Sequence, residues 1–252
     1  MELITLFEGI EERNERLAEP VGYFEQSADK EARWLEKRIK KITSSVLPNL
    51  VKRGQGNLNP WGKVAITAML SVADEMISGV ARPSIKGVKA LEFGKMYETE
   101  ALEYYNKKTG KNAKSCSNDF DEILFFEPMA GFGDSPDAIV EPDGRIEIKC
   151  PENGAVHLGY TTIKAFSQTD DYYWQLLGHL IDDKAQYCDF VSYNPRYPDG
   201  HPLKMHIVTL HKKDHLFNIN YLKSRITTAV EYITKAVQKN DMNLILNINN
   251  YE

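Results

Sequence analysis

The sequence predicts an α/β fold, a central mixed sheet flanked by helices with a helical N-terminal part. Three observations carry this. Helical periodicity dominates residues 27–110. Short runs of β-branched and aromatic residues lie between residues 122 and 211. A long amphipathic helical pattern then closes the chain. Of the 252 residues, 42% are hydrophobic and 27% charged, the composition of a globular chain able to bury a core. We expect a single domain over residues 1–252. Its helical portion covers about 1–110, its sheet and helices about 111–238, and a polar, peripheral tail 239–252.

The first helix is expected in "SADKEARWLEKRIKKITSSVLPNL", with Ser27 as its cap and good helix formers through residue 41. Trp34, Leu35, Arg38, Ile39 and Ile42 share one broad face. Residues 30–63 hold nine Lys or Arg and two Glu, a local charge of +7 in a chain whose net charge is -5. The global charge gives no signature of nucleic-acid binding, but a global sum can hide a local patch such as this one. "RGQGNLNPWG" reads as a loop, and "KVAITAMLSVADEMISG" as a buried helix. "VKALEFGKMYETEALEYYNKKTG" is a third helix that ends at Gly110, a C′ glycine.

"EILFFEP", "DAIVE" and "RIEIKC" read as strands. Between the last two, "EPDG" is a turn: Pro142 presets φ, Asp143 favours turns and Gly144 accepts positive φ. Residues 137–141 and 145–150 therefore form a hairpin. "SQTDDYYWQLLGHLIDD" is a fourth helix, and "AQYCDFVSYNP" and "LKMHIVTLHK" are strands. In the final helix Leu216, Ile219, Leu222, Ile226, Val230, Ile233 and Val237 fall in register.

The hairpin carries the chemistry. Side chains alternate along a strand, so Glu147 and Lys149 share one face and Ile146 and Ile148 the other. The turn returns Asp137 to a position opposite Glu147. Two carboxylates and an ammonium converge. Carboxylate oxygens are hard ligands suited to Mg²⁺ or Mn²⁺. A lysine beside them can orient or deprotonate a water acidified by the metal, or stabilise charge developing on a phosphoryl oxygen. An E-x-K alone is a weak motif, and an exposed pair on a strand is often only a solvated face. "SPD" ten residues upstream, across the turn, strengthens it.

"DSPDAIV…IEIKCP" resembles the PD-(D/E)xK nuclease core in the form found in the lambda exonuclease, or YqaJ-like viral recombinase, family. The resemblance implies that Asp137 and Glu147 bind metal, with the backbone carbonyl of Ile148 as a further ligand. It makes Lys149 the catalytic lysine and places Ser135 near the scissile phosphate. "FGKMYETEALEYY" resembles the family's W/F-G-x-x-x-E helix, which makes Glu98 a metal ligand. "RIKKITSSVL" resembles the family's R-x-x-x-I-T-A-S segment, which handles the 5′ end of DNA. Arg38, Thr43 and Ser45 fall on its positions, and an arginine fork and hydroxyls suit phosphate. "YYWQLLGHL" resembles the helix with the family's Q-x-Q pattern. Gln175 takes the first position, and Leu177 departs from the second. These matches run from about residue 34 to 235 in the family's order.

The resemblance implies a Mg²⁺-dependent 5′-to-3′ exonuclease, with Mn²⁺ substituting. It would act on linear double-stranded DNA ends, 5′-phosphorylated, and leave 3′ overhangs for phage-type recombination. It implies a homotrimeric ring, a single-strand annealing protein as partner, and a phage- or prophage-encoded chain in the bacterial cytoplasm. The alternatives are a structure- or site-specific endonuclease on the same core, or an inactive DNA-binding recombination protein. Three cysteines, Cys116, Cys150 and Cys188, are too few for an iron–sulfur cluster held by four cysteines, and we expect reduced thiols. No signal peptide or membrane span is expected. His157 and His179 read as structural, and His211 and His215 as surface residues. Tyr172, Tyr173 and Trp174 read as core.

Overall fold

A computed structural model of the chain describes residues 21–55, 60–81, 89–170 and 172–250. Part of the loop expected in "RGQGNLNPWG" lies outside these residues.

A five-stranded sheet organises the molecule. Its strands are β2 (Lys114–Ser115), β5 (Ala138–Val140), β6 (Gly144–Lys149), β7 (Tyr187–Tyr193) and β8 (Met205–His211), side by side in that order. Within this sheet only β6 and β7 are paired in parallel, so the chain must cross over between them. The crossover carries α5 (Gly154–Tyr160) and α6 (Tyr173–His179). A second, three-stranded sheet sets β4 (Phe132–Asp134) between β1 (Ile42–Thr43) and β3 (Phe126–Met129).

The expected hairpin is β5–β6, with Ala138 paired to Ile146 and Val140 to Gly144. Its turn holds a cis Glu141–Pro142 peptide, and Gly144 does not take the positive φ expected of it. A different constraint selects glycine there. A Cβ on Gly144 would lie 2.5 Å from the Tyr187 hydroxyl. Close approach to the neighbouring strand, rather than turn conformation, is the requirement.

Ile146 and Ile148 face α4 (Lys89–Thr109) and pack with Ala101, Leu102 and Tyr105. α4 ends at Gly110, whose φ is +71° as a C′ glycine requires. The opposite face of the sheet builds the larger core. It gathers α2 (Leu47–Leu50), α3 (Lys63–Ser78), α6 and the long α7 (Leu216–Lys239) around Phe190, Leu176 and Leu177. Ile219, Leu222, Ile226 and Ile233 of α7 are buried as its periodicity requires, whereas Leu216 is exposed.

α1 (Val21–Arg38) starts upstream of Ser27, so Ser27 lies within it and does not cap it. The helix stops at Arg38, Lys40 takes φ +69°, and Ile42 enters β1. The tail is not peripheral. Ile245, in α8 (Asn243–Leu246), and Ile248 are fully buried, and the Asn249 side chain bonds both N–H and C=O of Trp61. Two isoleucines in so short a segment set no period for the eye to find.

Candidate active site

Register brings the hairpin carboxylates together. Ala138 opposes Ile146, so Asp137, one residue earlier, opposes Glu147. The Asp137 main chain is held on both sides: its N–H donates to Ile146 O at 3.0 Å, and its carbonyl accepts from Cys116 at 2.9 Å. The Ile148 N–H donates to Asp137 Oδ2 at 2.6 Å. Glu147 and Lys149 share a face as alternation demands, and Lys149 Nζ donates to Glu147 Oε1.

Helix α6 supplies the opposing wall. Gln175 Nε2 donates to Glu147 Oε1 at 2.6 Å. One turn on, His179 Nε2 lies 3.0 Å from Glu147 Oε2. Residues four apart share a helix face, which explains why these two meet the same carboxylate. Leu177, two residues from each, points away and is fully buried in the large core. Placing a second glutamine at 177 would bury an amide among hydrocarbon. We expect Leu177→Gln to cost roughly 2 kcal/mol, read as a fall of about 4–8 °C in thermal unfolding.

His179 was expected to be structural, but it joins the site. Its Nδ1 is 2.7 Å from Asp134 Oδ1, an oxygen that also accepts from Ser44 Oγ. Ser44, Asp134, His179 and Glu147 are all buried. Neither Asp134 nor Ser44 was singled out in the sequence, although Asp134 lies three residues before Asp137 and Ser44 between Thr43 and Ser45. His179 was detectable as the residue one helical turn beyond Gln175. By contrast, His157 is structural as expected, held between Ser192 Oγ and the Leu203 carbonyl. Tyr173 and Trp174 are core residues. Tyr172 is half-buried, its ring 5.2 Å from Lys149 Nζ. The three cysteines are buried free thiols.

Electrostatics divides these groups. Burial and the neighbouring Glu147 and Glu98 charges push Asp137 well above the usual carboxylate range. Burial and Glu147 likewise raise Glu98. Burial acts against the charge of Glu147 too, but Lys149 and His179 hold it down at about 2. Burial would lower Lys149, yet Glu147 and Asp137 raise it, so it remains an ammonium. Burial also opposes charge on His179, and Asp134 and Glu147 overcome it and lift the ring to about 10. Only the doubly protonated ring can donate to both carboxylates.

That shift has a consequence for stability. Asp134 faces the ring from β4 and Glu147 from β6, with Ser44 and Lys149 one bond beyond them. The folded value lies above the ordinary 6.5, so the ring's contribution is complete below pH 6.5 and is lost as pH rises through about 10. Thermal unfolding of wild type and His179→Gln should therefore show a stability gap that narrows between about pH 6.5 and 10.

Three clefts meet at Asp137. One, of about 220 Å³, is lined by Trp34, Arg38, Thr43, Ser45, Gln175 and His179, among others. A second, of about 380 Å³, holds Lys30, Lys95, Glu98 and Asn118. A third, of about 420 Å³, holds Glu98, Ile148, Lys149, Tyr160 and Tyr172. In the first cleft Arg38 lies 4.2 Å over the Trp34 ring, a cation–π contact between residues four apart on α1. The Trp34 indole donates to Ser135 Oγ at 3.2 Å, and Ser135 donates to Leu124 O at 3.1 Å. Ser135 thus holds the platform under Arg38. Thr43 and Ser45 share a 3.2 Å hydrogen bond. Part of the +7 segment is neutralised: Arg33 and Lys37 pair with Glu122, and Lys41 with Glu127.

Among the described residues, no three His, Cys, Asp or Glu side chains form a ready-made metal cage. The donor chemistry nonetheless fits a hard divalent cation. The Glu147 charge raises the proton affinity of both Asp137 and Glu98, and Glu98 adds to that of Asp137; a cation would relieve this repulsion. Mg²⁺ characteristically takes only one or two carboxylates and keeps its waters, so a closed cage is not its requirement.

The YqaJ-like viral recombinase domain matches residues 33–181 of this chain. The chain belongs to that family. The match spans Arg38, Glu98, the hairpin and α6, so the whole site lies within it. Solved structures share the fold. An alkaline exonuclease (LHK-Exo) from Laribacter hongkongensis, also solved with dAMP, has a TM-score of 0.66 at 22% identity. The match covers 82% of this chain and 95% of that one. A phage-related exonuclease from Haemophilus somnus 129PT has a TM-score of 0.60 at 14% identity, covering 79% and 96%. No curated protein sequence matches. The mixed sheet with its flanking helices is the PD-(D/E)xK-like core of these exonucleases.

Proposed function

We propose that the chain is a divalent-metal-dependent exonuclease that degrades one strand of linear duplex DNA from its 5′ end and leaves a 3′ overhang for recombination. The supporting observation is that Asp137 and Glu147, the latter bonded by Lys149, line one cleft with Arg38, Thr43 and Ser45. Both solved relatives are named as exonucleases.

Mg²⁺ or Mn²⁺, held by Asp137, Glu147, Glu98 and the Ile148 carbonyl, would supply an acidified water and neutralise phosphoryl charge. The chain's own groups do the rest. Lys149, kept as an ammonium by its two carboxylates, donates to the phosphoryl oxygen on which charge develops. Gln175 fixes the Glu147 carboxylate from α6. Arg38, held over the Trp34 ring, presents its fork to a terminal phosphate, with Thr43 and Ser45 hydroxyls beside it. Tyr172 flanks Lys149 and closes one side of the third cleft.

A homotrimeric ring, an annealing-protein partner and a site of action in the bacterial cytoplasm follow from the family resemblance and belong to the same proposal. Among the described residues, no helix is long and apolar enough to cross a membrane.

Duplexes labelled at the 5′ or the 3′ terminus test polarity. Early release of the 5′ label as mononucleotide supports the reading, and early release of the 3′ label reverses it. Arg38→Ala should reduce the preference for 5′-phosphate over 5′-hydroxyl ends by roughly tenfold or more.

A further inference from the structure

We propose that the buried run Ser44–Asp134–His179 is a positioning device that ties the end-phosphate pocket to Glu147, so that a terminal phosphate raises the rate of the chemical step as well as affinity. This rests on the function proposed above.

The run is continuous and, with Glu147 at its end, buried. Ser44 Oγ donates to Asp134 Oδ1, His179 Nδ1 meets that same oxygen at 2.7 Å, and His179 Nε2 meets Glu147 Oε2 at 3.0 Å. Its four residues are each at most 4% exposed. Charge-assisted hydrogen bonds screened from water are strong and directional. One end of the run is Glu147. The other is the residue between Thr43 and Ser45, which line the phosphate cleft.

The backbone is built for this contact. A Cβ on Gly178 would lie 2.7 Å from Leu47 Cδ1 and 2.9 Å from Ser44 Oγ. Glycine at 178 is what lets the Ser44 turn seat directly on α6, the helix that carries both Gln175 and His179. Pocket and carboxylate are thus two ends of one packed unit.

Filling space at least cost does not explain the run. Among the described residues, Asp134 Oδ2 is buried without a hydrogen-bond partner, which penalises stability. An apolar side chain at 134 would avoid that penalty. Such a penalty is understandable where the carboxylate orients an imidazole, which in turn orients a carboxylate at the reacting centre.

The test compares wild type, Ser44→Ala and His179→Gln on duplexes with 5′-phosphate or 5′-hydroxyl ends. Single-turnover cleavage at saturating enzyme isolates the chemical step. A calorimetric titration of Ca²⁺ into each enzyme–duplex complex reads the same coupling without turnover. For wild type, phosphate should raise the rate constant and tighten Ca²⁺ binding by about fivefold or more. In both variants these ratios should fall toward one. Ser44→Ala, a small change, guards against misfolding of His179→Gln. Variants that lose rate equally on both ends, with the wild-type ratios intact, would show a merely structural role and overturn the inference. A wild type that cuts both ends at one rate would overturn it as well. A wild type that cuts no DNA would instead remove the functional reading beneath it.

Discussion

Lys149→Ala should lower cleavage by roughly 10²–10⁴-fold while leaving binding to a duplex end within a few-fold of wild type. The lysine's position sets this expectation. Its ammonium lies against Glu147 Oε1, and Glu147 and Asp137 together keep it charged. Charge developing on a phosphoryl oxygen in a partly dehydrated cleft is stabilised far more by such a donor than by water. The end pocket does not depend on it, since Arg38 rests on Trp34 and Trp34 on Ser135. The two effects therefore separate. Single-turnover cleavage in Mg²⁺ and fluorescence anisotropy in Ca²⁺ read them independently. A variant that loses end binding in proportion to rate would mean Lys149 holds the DNA and does not assist the chemistry.

Asp137→Asn should move activity and stability in opposite directions. Burial and the charges of Glu147 and Glu98 disfavour an ionised carboxylate at 137. An amide removes the charge, and its oxygen can still accept the Ile148 N–H that Asp137 Oδ2 accepts at 2.6 Å. We expect a gain of about 1 kcal/mol, seen as a rise of about 2–4 °C in thermal unfolding without divalent cation. Cleavage should fall by roughly 10³-fold, because an amide is a poor ligand for a hard cation. Wild type should recover the stability difference when Mg²⁺ is added, since a ligand that binds only the folded state stabilises it. A fall in melting temperature would show that the carboxylate is needed for folding.

The hairpin was legible because two independent signals agreed on it. Alternation in "RIEIKC" fixed the faces, and "EPDG" fixed the turn, which together placed Asp137 opposite Glu147. Helix α7 was legible from its 3.6-residue period. The second sheet was not. β1 spans two residues and β4 three, too short for any period to show, and their pairing joins Ile42 to Phe132. The Ser44–Asp134–His179 run was hidden for the same reason. Its links span 90 and 45 residues of sequence, and each member alone has an ordinary local context. The Q-x-Q pattern also misdirected attention to Leu177. Positions two apart on a helix face nearly opposite ways, and the partner of Gln175 at Glu147 is His179, on the next turn. The charge of the N-terminal segment overstated its free positive surface, because Glu122 and Glu127 return from later in the chain to meet it.

The most direct measurement incubates the wild-type protein with one plasmid, linearised or covalently closed, in Mg²⁺ and in EDTA. The linear duplex should be degraded in Mg²⁺ and not in EDTA, and the closed circle should survive in both. Nicking or linearisation of the circle would contradict the exonuclease reading in favour of an endonuclease, and survival of both forms in Mg²⁺ and in Mn²⁺ would contradict catalysis itself.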